Sequence, residues 1–510
     1  MTKVATGAAL LCLSLLLTGA PIAALASVLL DGQPAQVLSA LGRANLPALA
    51  VATFTLACGA TLWALVTAVP LAWLVARTDL PLRALVRQLA PLPLAVPPYV
   101  AALAYALLLG PGPIYGPGGA AFVLGIFTAP SLFLIVYGAL QRADPALEEA
   151  ARGLGHGPWR TLVSVTLPLI WPAILAGALL VFVYACIDFG VVSLLRARTV
   201  TTVLYTYLLS GFSRPASAAI ALGLVATVWL TLFLQALALR GSAERLPSRS
   251  RAGGAPVRLG RWRGPALVYA VLVLGAALVV PVLVLFGQAV RLGFGPLATL
   301  LTAQAAPLTR SLWVAGLGAT FVTLLGAALA LAVGRLPWAG AAAQLLQLGY
   351  AVPGTVLGLA IVGLLIRAVP DLYGTPGALV LAYVVLFGAP AFQAARTAIA
   401  QVTPALEAAA RGLGSPPLEV AGRVILPLAA PGLVGGWALS FALAFRELAA
   451  TIIIRPPGYD TLAVRIWVHT MDVGADPRAA GIALLLLVVA ALVWLGAQRL
   501  VARSGGLAAA

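Results

Sequence analysis

Long apolar segments alternate with short polar ones along almost the whole chain. Several uninterrupted apolar runs reach about 20 residues, the length that an α-helix needs to cross the hydrocarbon core of a bilayer. Helices are the expected spanning element because backbone polar groups in lipid must be satisfied within their own segment. The pattern therefore predicts an all-α polytopic membrane protein with about twelve transmembrane helices. The predicted spans are residues 4–30, 47–76, 84–110, 118–140, 169–195, 216–239, 265–289, 310–335, 342–368, 376–396, 427–453 and 480–498.

The spans fall into two sets of six, which predicts two repeats. Residues 1–239 form the first repeat, 240–264 a linker and 265–510 the second. Because each repeat has an even number of spans, we expect parallel halves related by an axis along the membrane normal. Lysine and arginine are more frequent in the loops on the side of the N terminus, which places that side in the cytoplasm. The first span also resembles a signal peptide, with Lys3 before it, but its counterpart in the second repeat favours retention.

One polar stretch occurs twice, at residues 144–168 and 403–427. The first copy reads DPALEEAARGLGHGPWRTLVSVTLP and the second TPALEAAARGLGSPPLEVAGRVILP. Each predicts a short helix, because Asp144 or Thr403 can cap the N terminus and the following proline suits the first helical position. A glutamate and an arginine four residues apart share one helix face, and a glycine ends the helix. The residues in these roles are Glu148, Arg152 and Gly153 in the first copy and Glu407, Arg411 and Gly412 in the second.

This stretch resembles the EAA loop in the membrane subunits of binding-protein-dependent ABC importers. Both copies keep a glutamate, two alanines, a glycine and a distant Leu-Pro at one spacing. In that family the loop is a coupling helix that docks on the cytoplasmic ATPase, so the resemblance implies two ABC ATPase subunits as partners. The alternative is an ordinary amphipathic turn between membrane helices. The residues that the resemblance assigns to ATPase coupling are Glu148, Ala150, Ala151, Arg152, Gly153, Gly155, Glu407, Ala409, Ala410, Arg411, Gly412 and Gly414.

The composition excludes several classes of protein. Of the 510 residues, 62% are hydrophobic and 9% are charged, which no soluble domain shows. The net charge of +17 comes almost entirely from arginines spread between apolar segments, without a basic stripe interleaved with aromatics, so nucleic acid is not an expected partner. Lys3 is the only lysine, and the chain therefore has no phosphate-binding G-x-x-x-x-G-K-[ST] loop. If ATP drives this protein, ATP and Mg²⁺ bind to a partner ATPase, and we expect no cofactor on this chain.

The sequence predicts neither catalytic residues nor a metal site. Cys12, Cys58 and Cys186 lie in apolar segments without CxxC spacing, which indicates neither a disulfide framework nor zinc. There is no HExxH motif, no nucleophile–base set and no pair of carboxylates beside a histidine. We therefore predict a transport subunit rather than an enzyme.

The linker at 240–264 is the densest basic stretch. Its seven arginines lie among glycine, proline and serine. We expect a flexible, solvated strap that lies on anionic lipid headgroups.

Charged residues lie toward the outer ends of two equivalent spans. Asp188 lies in span five, and Arg446 and Glu447 lie in span eleven, with Asp188 and Glu447 at matching positions of the two repeats. Tyr184 precedes Asp188 by four residues, so one helix face carries two oxygen-bearing groups. Charges within a membrane usually face a cavity or a partner. We interpret these four residues as the lining of a passage for a polar or charged solute; the alternative is charges that reach the outer interface or pair structurally.

Prolines interrupt spans three and nine in matching places. Pro97 and Pro98 in the first repeat correspond to Pro353 and Gly354 in the second. Broken helices at repeat-related positions often lie near a translocation site, although a packing kink would leave the same pattern.

Two further stretches resemble iron(III) importer permeases, which are also fused double-length chains. They are DFGVVSLLR at residues 188–196, and RELAAT with RPPGYDTLAVR at residues 446–451 and 455–465. The family usually has lysine and proline where this chain has Arg446 and Ala449. The resemblance implies a type I ABC importer permease of the bacterial inner membrane, with a periplasmic or lipid-anchored solute-binding protein as partner. Thiamine, polyamine, sulfate and phosphonate permeases remain alternatives, as does another class, a secondary transporter with twelve spans in two parallel halves.

Overall fold

A computed structural model describes residues 2–110, 112–209, 214–239, 256–333 and 335–507. Over these residues the chain is helical, and the single β-type pairing is an isolated bridge between Thr78 and Val257. Ten helices are long and apolar enough to cross a membrane, or twelve if each of two bent pairs is one span. The predicted all-α polytopic class is confirmed.

The order of elements repeats along the chain. Each half contains the same series of elements in the same order: a long first span, a short helix, a long second span, a bent pair, a long fourth span, two short helices and a fifth span. The helices before residue 240 are α1 Thr2–Leu30, α2 Pro34–Ala44, α3 Leu46–Arg77, α4 Arg83–Leu89, α5 Pro98–Leu109, α6 Pro117–Arg142, α7 Pro145–Gly153, α8 Pro158–Thr161, α9 Leu167–Ile187, α10 Gly190–Leu194, α11 Val200–Leu209 and α12 Arg214–Leu239. Those after residue 256 are α13 Arg263–Leu274, α14 Val280–Arg291, α15 Phe294–Ala303, α16 Ala305–Ala332, α17 Ala339–Tyr350, α18 Gly354–Ala368, α19 Pro376–Ala400, α20 Pro404–Gly412, α21 Pro417–Val420, α22 Leu426–Phe445, α23 Ala449–Ile454, α24 Leu462–Val473 and α25 Pro477–Leu507.

Spans three and nine are not straight helices. The two bent pairs are Arg83–Ala95 with Pro98–Leu109, at 95°, and Ala339–Tyr350 with Gly354–Ala368, at 110°. Pro97 and Pro353 lie at the breaks with extended ψ angles of 133° and 137°. Proline has no N–H to donate and disfavours helix in the residue before it, so the chain turns at both places.

The predicted ends of spans five and eleven were wrong. Span five was expected to continue to residue 195 and span eleven to 453, but α9 ends at Ile187 and α22 at Phe445. A separate short helix follows each of them. Asp188 and Glu447 lie in the two intervening corners rather than within a continuous helix. Apolar residues continue through these corners, so hydrophobicity alone gave no sign of the turn.

Each half contributes its first span to the other half. Helix α1 packs against α17 and α18, and α14 packs against α5 and α25. Small residues allow close approach elsewhere: a Cβ on Gly125 of α6 would lie 2.6 Å from the Ala60 carbonyl oxygen, and one on Gly326 of α16 would lie 2.8 Å from the Phe392 nitrogen. The two halves therefore share one helical body, with the broken spans at its centre.

Candidate functional site

The first repeated loop, residues 144–168 (loop 1), begins with a capped helix. The Asp144 carboxylate accepts a hydrogen bond from the Ala146 N–H at 2.9 Å, and Pro145 takes the first helical position. In the second copy, residues 403–427 (loop 2), Pro404 has the same place but Thr403 makes no side-chain cap bond. The predicted cap therefore exists in loop 1 and not in loop 2.

Each loop helix ends at the predicted glycine, but the left-handed residue lies two positions further along the chain. Gly153 and Gly412 are the last residues of α7 and α20, and neither has a positive φ. Gly155 and Gly414 adopt φ of 87° and 89° instead. The prediction took the first glycine after the helix pattern as its end, whereas the left-handed residue lies beyond the C-cap.

Backbone hydrogen bonds fix these helix ends in the same way in both loops. In loop 1 the His156 N–H donates to the Ala151 carbonyl at 3.0 Å, and the Gly155 N–H donates to that of Arg152 at 3.0 Å. The corresponding bonds in loop 2, from Ser415 to Ala410 and from Gly414 to Arg411, are 3.2 and 2.9 Å long. This is the Schellman pattern, which requires a left-handed residue at one position.

Glu148 fastens the loop 1 helix to its surroundings. Its Oε1 accepts hydrogen bonds from Arg77 Nε at 3.0 Å and from the Thr166 hydroxyl at 3.1 Å. Arg77 Nη2 also donates to the Ala143 carbonyl at 3.0 Å. The predicted side-chain partner was wrong: Arg152 Nε bonds to the backbone carbonyl of Glu148, at 3.2 Å, and Arg77 reaches the carboxylate. Arg77 ends the second span, and helical spacing within the loop gives no sign of so distant a partner.

Glu407 makes the equivalent contact in loop 2, but nearer to the surface. Its carboxylate pairs with Arg335, at 2.6 Å, and with Arg411, at 2.5 Å, so the predicted pair four residues apart does form here. The Arg335 and Glu407 side chains are 36% and 21% exposed, against 12% and 5% for Arg77 and Glu148. Loop 1 is therefore held by a buried ion pair and loop 2 by a solvated one.

This difference predicts unequal effects of two matched substitutions. Arg77→Ala leaves the buried Glu148 carboxylate without its cation, which typically costs about 3–5 kcal/mol. Arg335→Ala removes a partner from an exposed pair, worth about 1 kcal/mol or less. We expect hydrogen exchange at the backbone amides of α7 to speed up strongly in the first variant, and exchange in α20 to change little in the second. Equal acceleration in both helices would show that burial does not distinguish the loops.

Each loop presents matched apolar side chains to solvent. Leu154 is 82% exposed and its counterpart Leu413 is 89% exposed. Ala150 is exposed, whereas Ala151, which the resemblance also assigns to ATPase coupling, is buried. The matched set of exposed large apolar residues is Leu147, Leu154 and Trp159 in loop 1 and Leu406, Leu413 and Leu418 in loop 2. Sequence analysis missed these residues, although their repetition at one spacing could have indicated them.

A continuous helix connects each loop to the middle of the molecule. Residues Pro158–Ile187 form one helix, and Pro417–Phe445 form its counterpart. Each contains a π-helical turn, Leu162–Thr166 or Ala421–Ile425, immediately before the repeated Leu-Pro. A wider turn accommodates a proline without interrupting the helix. Each loop is therefore joined to the middle of the molecule by a single helical rod.

The end of the linker binds beside loop 1. The Val257 N–H donates to the Arg77 carbonyl at 2.8 Å, and the Asp79 N–H donates to that of Val257 at 3.1 Å. Asp79 Oδ1 accepts from the Leu259 N–H at 2.8 Å, and its Oδ2 pairs with Arg263 at 2.5 Å. These bonds fix the backbone at Arg77, whose side chain is hydrogen-bonded to the Glu148 carboxylate.

The predicted flexible strap is thus attached at its C-terminal end. Residues 240–255 lie outside the described part of the chain. In the described part, the hydrogen bond from Leu259 and the ion pair with Arg263 lower the pKa of Asp79 below its usual range. A lowered pKa stabilises the attachment at neutral pH, and that contribution is lost as the pH falls through the pKa of the attached state.

A cavity of about 710 Å³ lies between the halves at the breaks of spans three and nine. It brings together Tyr184, Asp188, Arg446 and Glu447, the four residues predicted from sequence to share a passage. Other polar residues in its wall are Tyr99, Gln347, Tyr350 and Gln393. Sequence analysis missed these four, because they lie in apolar segments without any motif.

The cavity extends from the breaks toward the face that carries the two loops. At the breaks its lining includes the first residues of four helices, α5, α10, α18 and α23, namely Pro98, Tyr99, Gly190, Gly354 and Ala449. On the loop side it extends to Gln393, close to the loop end of α19. The lining of the cavity therefore runs from the breaks toward the loop side, and the two halves meet at the breaks.

The closure is built from both halves. A Cβ on Gly190 would lie 3.0 Å from that of Tyr99 and 3.4 Å from Leu448 Cδ2. The Tyr99 hydroxyl donates to the Arg446 carbonyl at 3.4 Å, and Arg446 Nη1 donates to the Leu94 carbonyl. Separation of the halves at this level would open the cavity to the other side.

Asp188 and Glu447 cap the short helices that follow them. Asp188 Oδ1 accepts from the Val191 N–H at 2.8 Å and the Val192 N–H at 3.3 Å. Glu447 Oε1 accepts from the Ala450 N–H at 2.9 Å. Both carboxylates thus bond to backbone N–H groups and also lie in the cavity wall.

Comparison with known proteins gives the family context. Residues 68–242, which include loop 1, match the family model of the binding-protein-dependent transport system inner membrane component. The chain is 26% identical over 394 residues to the Fe(3+)-transport system permease protein FbpB 2 of Haemophilus influenzae, covering 75% of this chain and 76% of that protein. It is 32% identical over 155 residues to the putative 2-aminoethylphosphonate transport system permease protein PhnV of Salmonella paratyphi A, covering 30% of this chain and 58% of PhnV. Identity to the molybdenum transport system permease protein ModB of Escherichia coli is 28% over 208 residues, covering 36% of this chain and 90% of ModB.

Proposed function

We propose that this chain, a permease subunit of an ABC importer in the bacterial inner membrane, forms the complete membrane passage of its transporter. A periplasmic or lipid-anchored binding protein would deliver the solute, and two cytoplasmic ATPase subunits would dock on loops 1 and 2. The observation that carries this proposal is that both loops expose leucines at equivalent positions, Leu154 and Leu413 most of all. Both leucines lie at helix ends that have the same hydrogen-bond pattern. One chain thereby offers two equivalent docking surfaces.

The mechanism follows from how the loops are connected. In this proposal, binding and hydrolysis of ATP by the two ATPase subunits would move the loop seated on each of them. Loop 1 is fastened to α3 through Glu148 and Arg77, and its rod ends at Ile187, next to Asp188. Movement of the loops would therefore shift the two corners that close the cavity, and the passage would open on the far side.

Iron(III) is the solute that we propose. The similarity to FbpB 2 extends over both repeats, whereas the matches to PhnV and ModB cover about a third of the chain. Thiamine, a polyamine, sulfate or a phosphonate would use the same mechanism.

Uptake into whole cells tests this choice. The chain would be produced with an ABC ATPase and a solute-binding protein that co-purify with it, in a strain without its own importers for iron, thiamine, polyamines, sulfate, phosphonates and molybdate. We expect ATP-dependent uptake of labelled iron(III) only. Uptake of thiamine, a polyamine, sulfate, a phosphonate or molybdate would replace iron as the solute and leave the permease assignment intact, and uptake of none of these solutes by an assembled complex would refute both.

A further inference from the structure

Several polar and charged side chains line the central cavity, although the chain is mostly apolar. Two carboxylates reach it from equivalent corners of the two halves, Asp188 from the first and Glu447 from the second. The hydroxyl groups of Tyr184 and Tyr350 belong to residues that are 37% and 49% exposed, and neither forms a hydrogen bond within the described residues. The wall is therefore rich in oxygen atoms that are accessible to a solute.

The negative charges of this cavity are not neutralised by an ion pair. Within the described part of the chain, no arginine or histidine lies within 4.0 Å of either carboxylate. Arg446 is the one cationic residue among those that line the cavity, and its Nη1 is directed to the Leu94 carbonyl. Two carboxylates and one guanidinium leave a net charge of −1 when all are ionised.

Each carboxylate has one oxygen available. The caps of α10 and α23 use Asp188 Oδ1 and Glu447 Oε1, and Oδ2 and Oε2 have no hydrogen-bond partner among the described residues. At the same break the Thr355 hydroxyl, next to the lining residue Gly354, is buried without a partner within the described chain.

We propose that this cavity is a binding site for a cationic solute within the permease, and that it discriminates against oxyanions. Asp188 and Glu447 would supply the charge, and Tyr184 and Tyr350 would supply further oxygen ligands. This inference rests on the proposed role of the cavity as the passage. An oxyanion would have to leave water beside two like charges, whereas a cation is attracted by both, and these interactions are strong where water is partly excluded.

The site is suited to passage rather than storage. Among the described residues there is no cluster of three or more His, Cys, Asp or Glu side chains of the kind that retains a metal ion. Two carboxylates from opposite halves would instead hold the cation across the closure. Movement of the halves would change the distance between them and weaken binding, as transport requires of any site on its path.

Terbium(III) is a suitable probe, because nearby tyrosine and tryptophan rings sensitise its luminescence. We would titrate the purified full-length chain in lipid nanodiscs with terbium(III), and compete with iron(III), thiamine, spermidine and molybdate in separate arms. The expected result is saturable binding with competition by cations and none by molybdate. Which cation competes best would distinguish a metal ion from an organic cation.

Substitutions locate the binding. Asp188→Asn and Glu447→Gln should each lower the terbium affinity at least tenfold, whereas Asp371→Asn, an exposed acid away from the cavity, should leave it unchanged. Folding of the variants would be checked by size exclusion and circular dichroism.

Three results would overturn the proposal: no saturable binding to the folded chain, equal binding by the Asp188→Asn/Glu447→Gln double variant, or competition by molybdate. None of them would refute the permease assignment, which depends on the ATPase-binding loops.

Discussion

Replacing Gly155 and Gly414 together by valine will abolish binding of the ATPase and solute uptake, while the chain still inserts in the membrane. These glycines adopt φ of 87° and 89°, a region that a β-branched residue avoids. A left-handed conformation costs an ordinary residue about 1–2 kcal/mol, so each valine would redirect the chain after α7 or α20. Leu154 and Leu413 immediately precede these glycines and would lose their positions. We expect uptake below a tenth of the wild-type rate, measured with ATPase co-purification.

The matched control is the pair Gly153→Val and Gly412→Val. These glycines have ordinary helical φ, and a Cβ at either one would meet nothing within 4 Å. The control should retain ATPase binding and most of the uptake. The reverse result, with the control inactive and the Gly155→Val/Gly414→Val variant active, would show that the Schellman ends do not position the docking surface.

Removing the two cavity charges will stop transport without dismantling the complex. Asp188→Asn keeps a side-chain oxygen at the cap of α10, because asparagine caps helices about as well as aspartate. Glu447→Gln likewise keeps an acceptor for the Ala450 N–H. Both changes preserve the caps and remove negative charge from the cavity wall. We expect uptake to fall at least tenfold in each single variant and further in the double variant, while ATPase co-purification persists.

An alanine at residue 188 separates the structural role from the charge. Asp188→Ala removes the cap and should cost about 0.5–2 kcal/mol of stability, whereas Asp188→Asn should not. If the Asp188 carboxylate serves only as a helix cap, the Asp188→Asn variant will show normal uptake and the Asp188→Ala variant will not. Normal uptake by the Asp188→Asn/Glu447→Gln double variant would limit both residues to structure.

Much of this architecture could be predicted from the amino-acid sequence, because a bilayer restricts the backbone structures that a spanning segment can adopt. Apolar length indicated the spans, and the repeated polar stretch indicated the short helices between the fourth and fifth span of each half. The breaks at Pro97 and Pro353 were predicted because proline chemistry is local. The gathering of Asp188 and Glu447 in one cavity followed from their matched positions in the repeat.

The features that the sequence did not reveal depend on contacts between distant segments or on backbone geometry. The partner of Glu148 is Arg77, 71 residues away, and no spacing rule connects them. Gly153 and Gly155 are both glycines near one helix end, and only the backbone angles show which one is left-handed. The attachment of the linker end to Asp79 likewise joins residues separated by about 180 positions. Local patterns cannot specify such pairs.

The stoichiometry of the assembled transporter tests the central claim most directly, namely that this one chain forms the whole passage and docks two ATPase subunits. Native mass spectrometry of the complex, purified through a tag on this chain, gives the number of each subunit. The account predicts one copy of this chain with two copies of the ATPase. A complex with two copies of this chain for two ATPases would contradict it.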